Sequence, residues 1–184
     1  MKRTIALALA SLMALCLFAA CGTNAETEET ASPSPSAEAE LTAEERAQLY
    51  ADAITAARGD EENEAYPVLK TGDEITDMYY QVLGITAEDA EAMAMSVSLI
   101  NVKAYGIAVI KPAEGREEAV TTGLQSFIDN QMQSFQNYLA DQYEVAQNAR
   151  LETLDDGTVL LVMCDGQDEV FTAIRSVIEA GQKG

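Results

Sequence analysis

The groups able to do chemistry in this 184-residue sequence are acids, thioethers, hydroxyls and three thiols, because it contains no histidine. Missing imidazole excludes Ser–His and Cys–His nucleophile pairs and every zinc site that needs a histidine ligand. Met93 and Met95 alternate along a strand pattern, so both sulfurs share one face, as a Cu(I) site would require. With no cysteine nearby in sequence, core packing by these adaptable side chains is the expectation. Acids cluster at Asp60-Glu61-Glu62-Asn63-Glu64, at Asp155-Asp156 and at Asp165-Gly166-Gln167-Asp168-Glu169. The third cluster offers oxygen ligands for a hard cation but lacks the EF-hand spacing of alternate acids closed by a glutamate. Asp168 and Glu169 instead fall in the first turn of a helix, where negative charge complements the macrodipole. The first cluster reads as a solvated loop. A glycosidase pair needs two carboxylates across a gap of about 5–9.5 Å, which no spacing here establishes, and the chain has no tryptophan on which a sugar could stack. Ser96 and Ser98 occupy the polar side of a strand without a lysine or a glycine elbow, and Gly157 and Gly166 are turn glycines. The expectation is a protein with no catalytic residue, no metal site and no cofactor, hence not an enzyme.

The thiols point elsewhere. Cys21 ends the run Phe18-Ala19-Ala20-Cys21-Gly22, and two small residues before a cysteine resemble the lipobox of bacterial lipoproteins, with Phe18 where leucine is usual. Lys2 and Arg3 precede an apolar stretch from Ile5 to Ala20. That stretch is shorter than the roughly 20 residues of a comfortable membrane span, and it suits the h-region of an export signal. Residues 1–20 are therefore expected to be a lipoprotein signal peptide, and Cys21 the site of lipidation, with acyl chains such as palmitate holding the chain on a membrane. Each buried CH₂ of those chains contributes about 0.8 kcal/mol. Ordinary cleavage at an Ala-x-Ala-like site, or retention as an uncleaved anchor, are the competing readings. The expected location is the cell membrane, lipid-anchored, on its extracytoplasmic face. Cys16 would leave with the signal, and Cys164 closes the apolar run Thr158-Val-Leu-Leu-Val-Met-Cys164, which reads as a buried strand and a packed thiol.

Charge narrows the partners. Eleven basic residues face 31 acidic ones, a formal charge of −20. Nucleic acid is excluded, because phosphate contacts need clustered Lys and Arg. Loss of Lys2 and Arg3 with the signal takes the charge to −22. Anionic headgroups repel such a body, so the anchor on Cys21 is the expected membrane contact. Residues 21–40 hold no large apolar side chain and carry Ser32-Pro33-Ser34-Pro35-Ser36 among five glutamates. They read as a disordered acidic tether.

Residues 41–184 are long enough for one domain with its own core. Thr42-Ala43-Glu44-Glu45 is a capping box opening a helix to about Arg58, with an alanine-rich face that predicts loose docking. Residues 59–74 read as an acidic, turn-rich connection broken at Tyr66-Pro67. Ile75, Met78, Tyr79, Val82 and Leu83 define one face of a short helix closed by Gly84. A capped turn at 86–91 leads into a strand from Met93 to Leu99 and a second from Ala104 to Lys111. A long helix follows over 113–139, with Gly123 admitting a close neighbour, and then a helical turn over 141–149. Arg150 to Leu154 and Thr158 to Cys164 flank Asp155-Asp156-Gly157, a hairpin signal, before a last helix over 168–180. The predicted class is α+β: a four-stranded antiparallel sheet from two β-hairpins, each followed by a helix (ββαββα), preceded by N-terminal helices, with the helices on one face.

From about Tyr79 to Ala180 this arrangement resembles a family of small Gram-positive lipoproteins, domain of unknown function 4358. The lipobox, Ala94-Met95-Ser96-Val97-Ser98, Gly106-Ile-Ala-Val-Ile-Lys111 and the long helix with Phe135 and Tyr138 carry the likeness, with the second hairpin before a C-terminal helix. Where members often carry a glutamate before the second strand's apolar run, this chain has Tyr105-Gly106. The resemblance implies an uncharacterised extracytoplasmic domain, the outer surface of a single-membrane cell, and no transferable catalytic residue. The functional expectation is a non-catalytic binding or interaction module of the cell envelope with an envelope protein partner. The alternatives are a small-ligand or cation-binding lipoprotein and, third, an envelope enzyme working with carboxylates.

Overall fold

A computed structural model describes residues 40–181, which fall within one compact unit. The signal segment, Cys21 and the tether as far as residue 39 lie outside the described residues. No helix among the described residues is long and apolar enough to cross a membrane.

The capping box forms as its residues dictate. Thr42 Oγ1 accepts from the Glu45 backbone N–H at 3.3 Å, the Glu45 carboxylate accepts from the Thr42 N–H at 2.9 Å, and α1 runs Ala43–Ala56. Docking is not loose, because Ala47, Tyr50, Ala53 and Ile54 are all fully buried. Small alanines bring the helix close to the sheet and let Tyr50 fill the space. The acidic stretch is a six-residue helix, α2 (Asp60–Ala65), rather than a loop, although none of its residues is buried.

Five strands replace the expected four. Strand β1 (Leu69–Lys70) pairs with β2 (Ala90–Val97) through Leu69↔Met95 and Lys70↔Ala94. Two residues are too few to show a period of two, so only pairing defines this strand. Helix α3 (Thr76–Val82) ends at Gly84, whose φ of +73° closes it in the left-handed conformation. Its inward face is Thr76, Tyr80 and Leu83, while Ile75 and Met78 face solvent, so the expected stripe is rotated. A 3₁₀ turn, capped by Thr86 and Asp89, delivers the chain to β2.

Strand β3 (Gly106–Pro112) returns antiparallel to β2, and α4 (Glu117–Phe135) and α5 (Ala140–Gln147) follow. The second hairpin, β4 (Arg150–Thr153) and β5 (Val159–Met163), turns at Gly157 and leads into α6 (Gln167–Gly181). The sheet order is β1-β2-β3-β5-β4, antiparallel throughout.

Helices cover both faces of this sheet, not one. Met93, Met95, Ala108, Ile110, Leu161 and Met163 point into a core closed by Tyr80, Leu83, Leu124, Phe127 and Phe135. The alternate residues Ala92, Ala94, Ile107, Val109, Leu160 and Val162 enter a second core under Tyr50, Ile54, Phe171 and Ile174. The apolar runs 106–110 and 159–163 carry hydrophobic residues on both parities, the pattern of strands buried on both faces. Gly123 does admit a neighbour: a Cβ there would lie 2.6 Å from the Gly84 carbonyl oxygen, so α3 and α4 meet backbone to backbone.

Candidate functional site

One buried arginine organises a polar cluster at one end of the sheet. Ala57 caps helix α1, and the next residue, Arg58, turns its side chain inward instead of into solvent. Arg58 is 9% exposed, and its Nη1 donates to Ser96 Oγ at 2.8 Å, Tyr105 Oη at 2.6 Å and the Tyr66 carbonyl at 3.2 Å. Ser96 Oγ in turn donates to the same carbonyl at 2.7 Å. The Tyr66 ring stacks on Tyr105 with centroids 4.1 Å apart and planes 17° apart. Strand alternation explains Ser96: Met95 and Val97 enter the core under α4, so Ser96 must enter the core under α1.

Burial sets the protonation here. Desolvation raises the Tyr105 hydroxyl well above its ordinary value, against the pull of Arg58. It also pushes the Cys164 thiol up to about 12, with Glu62 and Asp165 adding to the effect. At neutral pH both groups are protonated, and Cys164 is a packed thiol rather than a nucleophile.

Tyr66 also lines an apolar cleft of about 240 Å³. Tyr66, Leu69, Tyr79 and Val97 wall it, and Ile75, Leu99 and Ile100 stand at its mouth, 53%, 54% and 61% exposed. The cleft exists because β1 stops at Leu69 while β2 continues to Val97, which leaves the sheet edge to side chains alone. Val102, just beyond Ile100 in the β2–β3 connection, is also exposed.

The residues singled out by their chemistry lie elsewhere. Met93 and Met95 are fully buried in the core under α4. Asp156 accepts from the Thr158 N–H and hydroxyl at 3.0 and 2.6 Å and so fastens the second hairpin turn. Asp165 pairs with Lys103 at 2.6 Å, and Asp168, in the first turn of α6, pairs with Arg150 at 3.1 Å. Among the described residues no three of His, Cys, Asp and Glu are placed to hold a metal ion. Ser96 and Ser98 are buried, not on an exposed polar face. Cys21, the lipidation candidate, lies outside the described residues.

Arg58, Tyr66 and Tyr105 are what residue-type reasoning missed. Tyr66-Pro67 signals only a break, and Arg58 lies 38 and 47 residues from the side chains it binds. Its one local signal is its place, directly after a capped helix and before Gly59.

Residues 63–164 match the family described as a domain of unknown function, DUF4358. That is more than half of the chain, and the chain belongs to this family. The match takes in Tyr66, Ser96, Tyr105 and Cys164 and begins beyond Arg58. No curated protein and no solved structure matches the chain.

Proposed function

We propose that this member of the family of unknown function is a lipid-anchored extracytoplasmic protein whose domain is a non-catalytic binding module of the cell envelope. The Lys2-Arg3 start, the apolar run to Ala20 and the small residues before Cys21 support lipidation at Cys21. The resemblance to Gram-positive lipoproteins favours the outer surface of a single-membrane cell.

The observation that carries the binding role is the apolar cleft, with Ile75, Leu99 and Ile100 half exposed around it. Pockets for drug-sized ligands span about 300–1,000 Å³. A cleft of about 240 Å³ suits an apolar side chain or two from a protein partner, and the exposed residues around it would form the surrounding contact. The non-catalytic part rests on the state of the candidate nucleophiles. Ser96 Oγ is held between Arg58 and the Tyr66 carbonyl, and Cys164 is buried and protonated.

Two experiments test this reading. In the first, Cys21→Ala moves the protein from the membrane to the soluble fraction and abolishes palmitate labelling; unchanged membrane retention contradicts the anchor. In the second, the paired change Leu99→Asp and Ile100→Asp leaves thermal unfolding unaltered, because both side chains are exposed. It removes the envelope protein that crosslinks to a photoreactive group placed at Ile75. The same crosslinked partner in the same yield would exclude the cleft as the binding face.

A further inference from the structure

Arg58 stands apart from every other arginine among the described residues. Arg46, Arg116, Arg150 and Arg175 each have a carboxylate within 4.0 Å, as expected in a chain with 31 acids and 11 bases. Arg58, nine-tenths buried, has none. All its hydrogen bonds leave from Nη1, while Nε and Nη2 are sealed from solvent without an acceptor. A buried guanidinium with unmet donors is costly, and such groups call for an ion or a water.

The pair left unmet is specific. Nε–H and the Nη2–H on the same edge are the lateral fork of the guanidinium, spaced to meet two oxygens of one carboxylate or phosphate. Nη1, on the other edge, is tied to Ser96, Tyr105 and Tyr66, so the fork is held in one orientation. The segment that follows Arg58 is slight. Between Gly59 and Tyr66 the chain folds back through Asn63 Nδ2 donating to the Thr55 carbonyl at 3.0 Å and through the Arg58–Tyr66 bond. Helix α2 buries none of its six residues and has no side-chain cap, so displacing it sacrifices little packing. Asn63 Oδ1 on this flap is also buried without a donor.

We propose that Arg58 is the anchor of a site for a small oxyanion, received on its Nε–Nη2 edge beneath the α2 flap. The site shares Tyr66 with the apolar cleft, which Ala65 at the end of α2 also lines, but it takes charge rather than apolar surface.

The test is a titration of the full ¹⁵N-labelled chain with sodium acetate and, separately, inorganic phosphate, following the arginine Nε–H signals. The Arg58 signal, assigned by its loss in Arg58→Lys, shifts saturably with at least one anion, and which anion does so names the oxyanion class. Arg116 and Arg175 drift without saturating. Arg58→Lys keeps the charge but lacks the fork, and it weakens the anion-dependent rise in melting temperature by about tenfold in anion concentration. If neither anion moves the Arg58 signal, the fork holds water only and the proposal is overturned. It is also overturned if an anion response is absent in the wild type and appears only in Glu62→Gln, because the fork would then serve Glu62. Should Arg58→Lys fail to fold, the Arg58 signal is assigned as the one left after Arg46→Lys, Arg116→Lys, Arg150→Lys and Arg175→Lys each identify their own, and the wild-type titration and Glu62→Gln still decide. The paired Leu99 and Ile100 variant retains the response, so failure here leaves the cleft reading standing.

Discussion

The two faces of the sheet solve the same packing problem differently. Under α3, α4 and α5 the core is the drier one, built from Met93, Met95, Leu124, Phe127, Phe135 and Leu161, although Gln142 accepts there from the Ala104 N–H at 2.9 Å. Under α1 and α6 apolar residues enclose two polar contacts: Tyr50 with Thr158 Oγ1 at 2.8 Å, and Arg58 with Ser96 and Tyr105. The dry face draws its stability from shape and apolar area, so an apolar residue of similar volume serves it with modest loss. The mixed face also depends on donors and acceptors that must meet across long stretches of sequence, and each one left alone is costly. A fold carrying binding groups gains by separating these tasks, with one face holding the sheet while the other holds a charge.

The largest break in this comparison is expected on the dry face. Phe127→Ala removes a ring that sits against Gly106 and should cost about 3–5 kcal/mol in denaturant unfolding. Arg58→Ala on the mixed face should cost less, about 2–3 kcal/mol, by stranding Tyr105 and Ser96. Arg58→Met sharpens the point, because an apolar chain of similar length should recover most of that loss. A loss for Met as large as for Ala would show that the charge and its hydrogen bonds, rather than the packed stem, stabilise the fold. Tyr50→Phe should cost about 1 kcal/mol, as Thr158 keeps Asp156 as its acceptor. The smallest effect concerns pH at the rim of the dry face. Hydrogen bonds from the Thr86 hydroxyl and N–H, with Arg116 nearby, hold the Asp89 carboxyl below its ordinary range. A folded-state value below the unfolded one stabilises the protein above about pH 4 and is lost as pH falls through the folded value. Acid unfolding of Asp89→Asn should therefore be shallower than wild type over that window; coincident curves would remove Asp89 from the account.

Local patterns were legible wherever the cause was local. The Thr42–Glu45 box, the Gly84 stop and the Gly157 hairpin appear as read, because each needs only residues within about four positions. Strand β1 was not legible, since two residues show no period. The rotation of α3 was not legible either, because Ile75 and Tyr80 both suit an apolar face and only packing into the core selects Tyr80. Helices on both faces could have been read from the doubly apolar runs of β3 and β5, whose parity assigns hydrophobic residues to each side.

By itself the sequence determined what depends on residue type and short spacing: the export-like start with Cys21, the acid excess, the exclusion of imidazole chemistry and the order of helices and hairpins. Only the tertiary structure decided that Arg58 is buried, that Ser96 and Tyr105 converge on it, and that the edge beside β1 opens as a cleft. The reason is range. Caps and turns form between near neighbours, whereas a buried charge is defined by whichever distant groups the packed sheet brings to it.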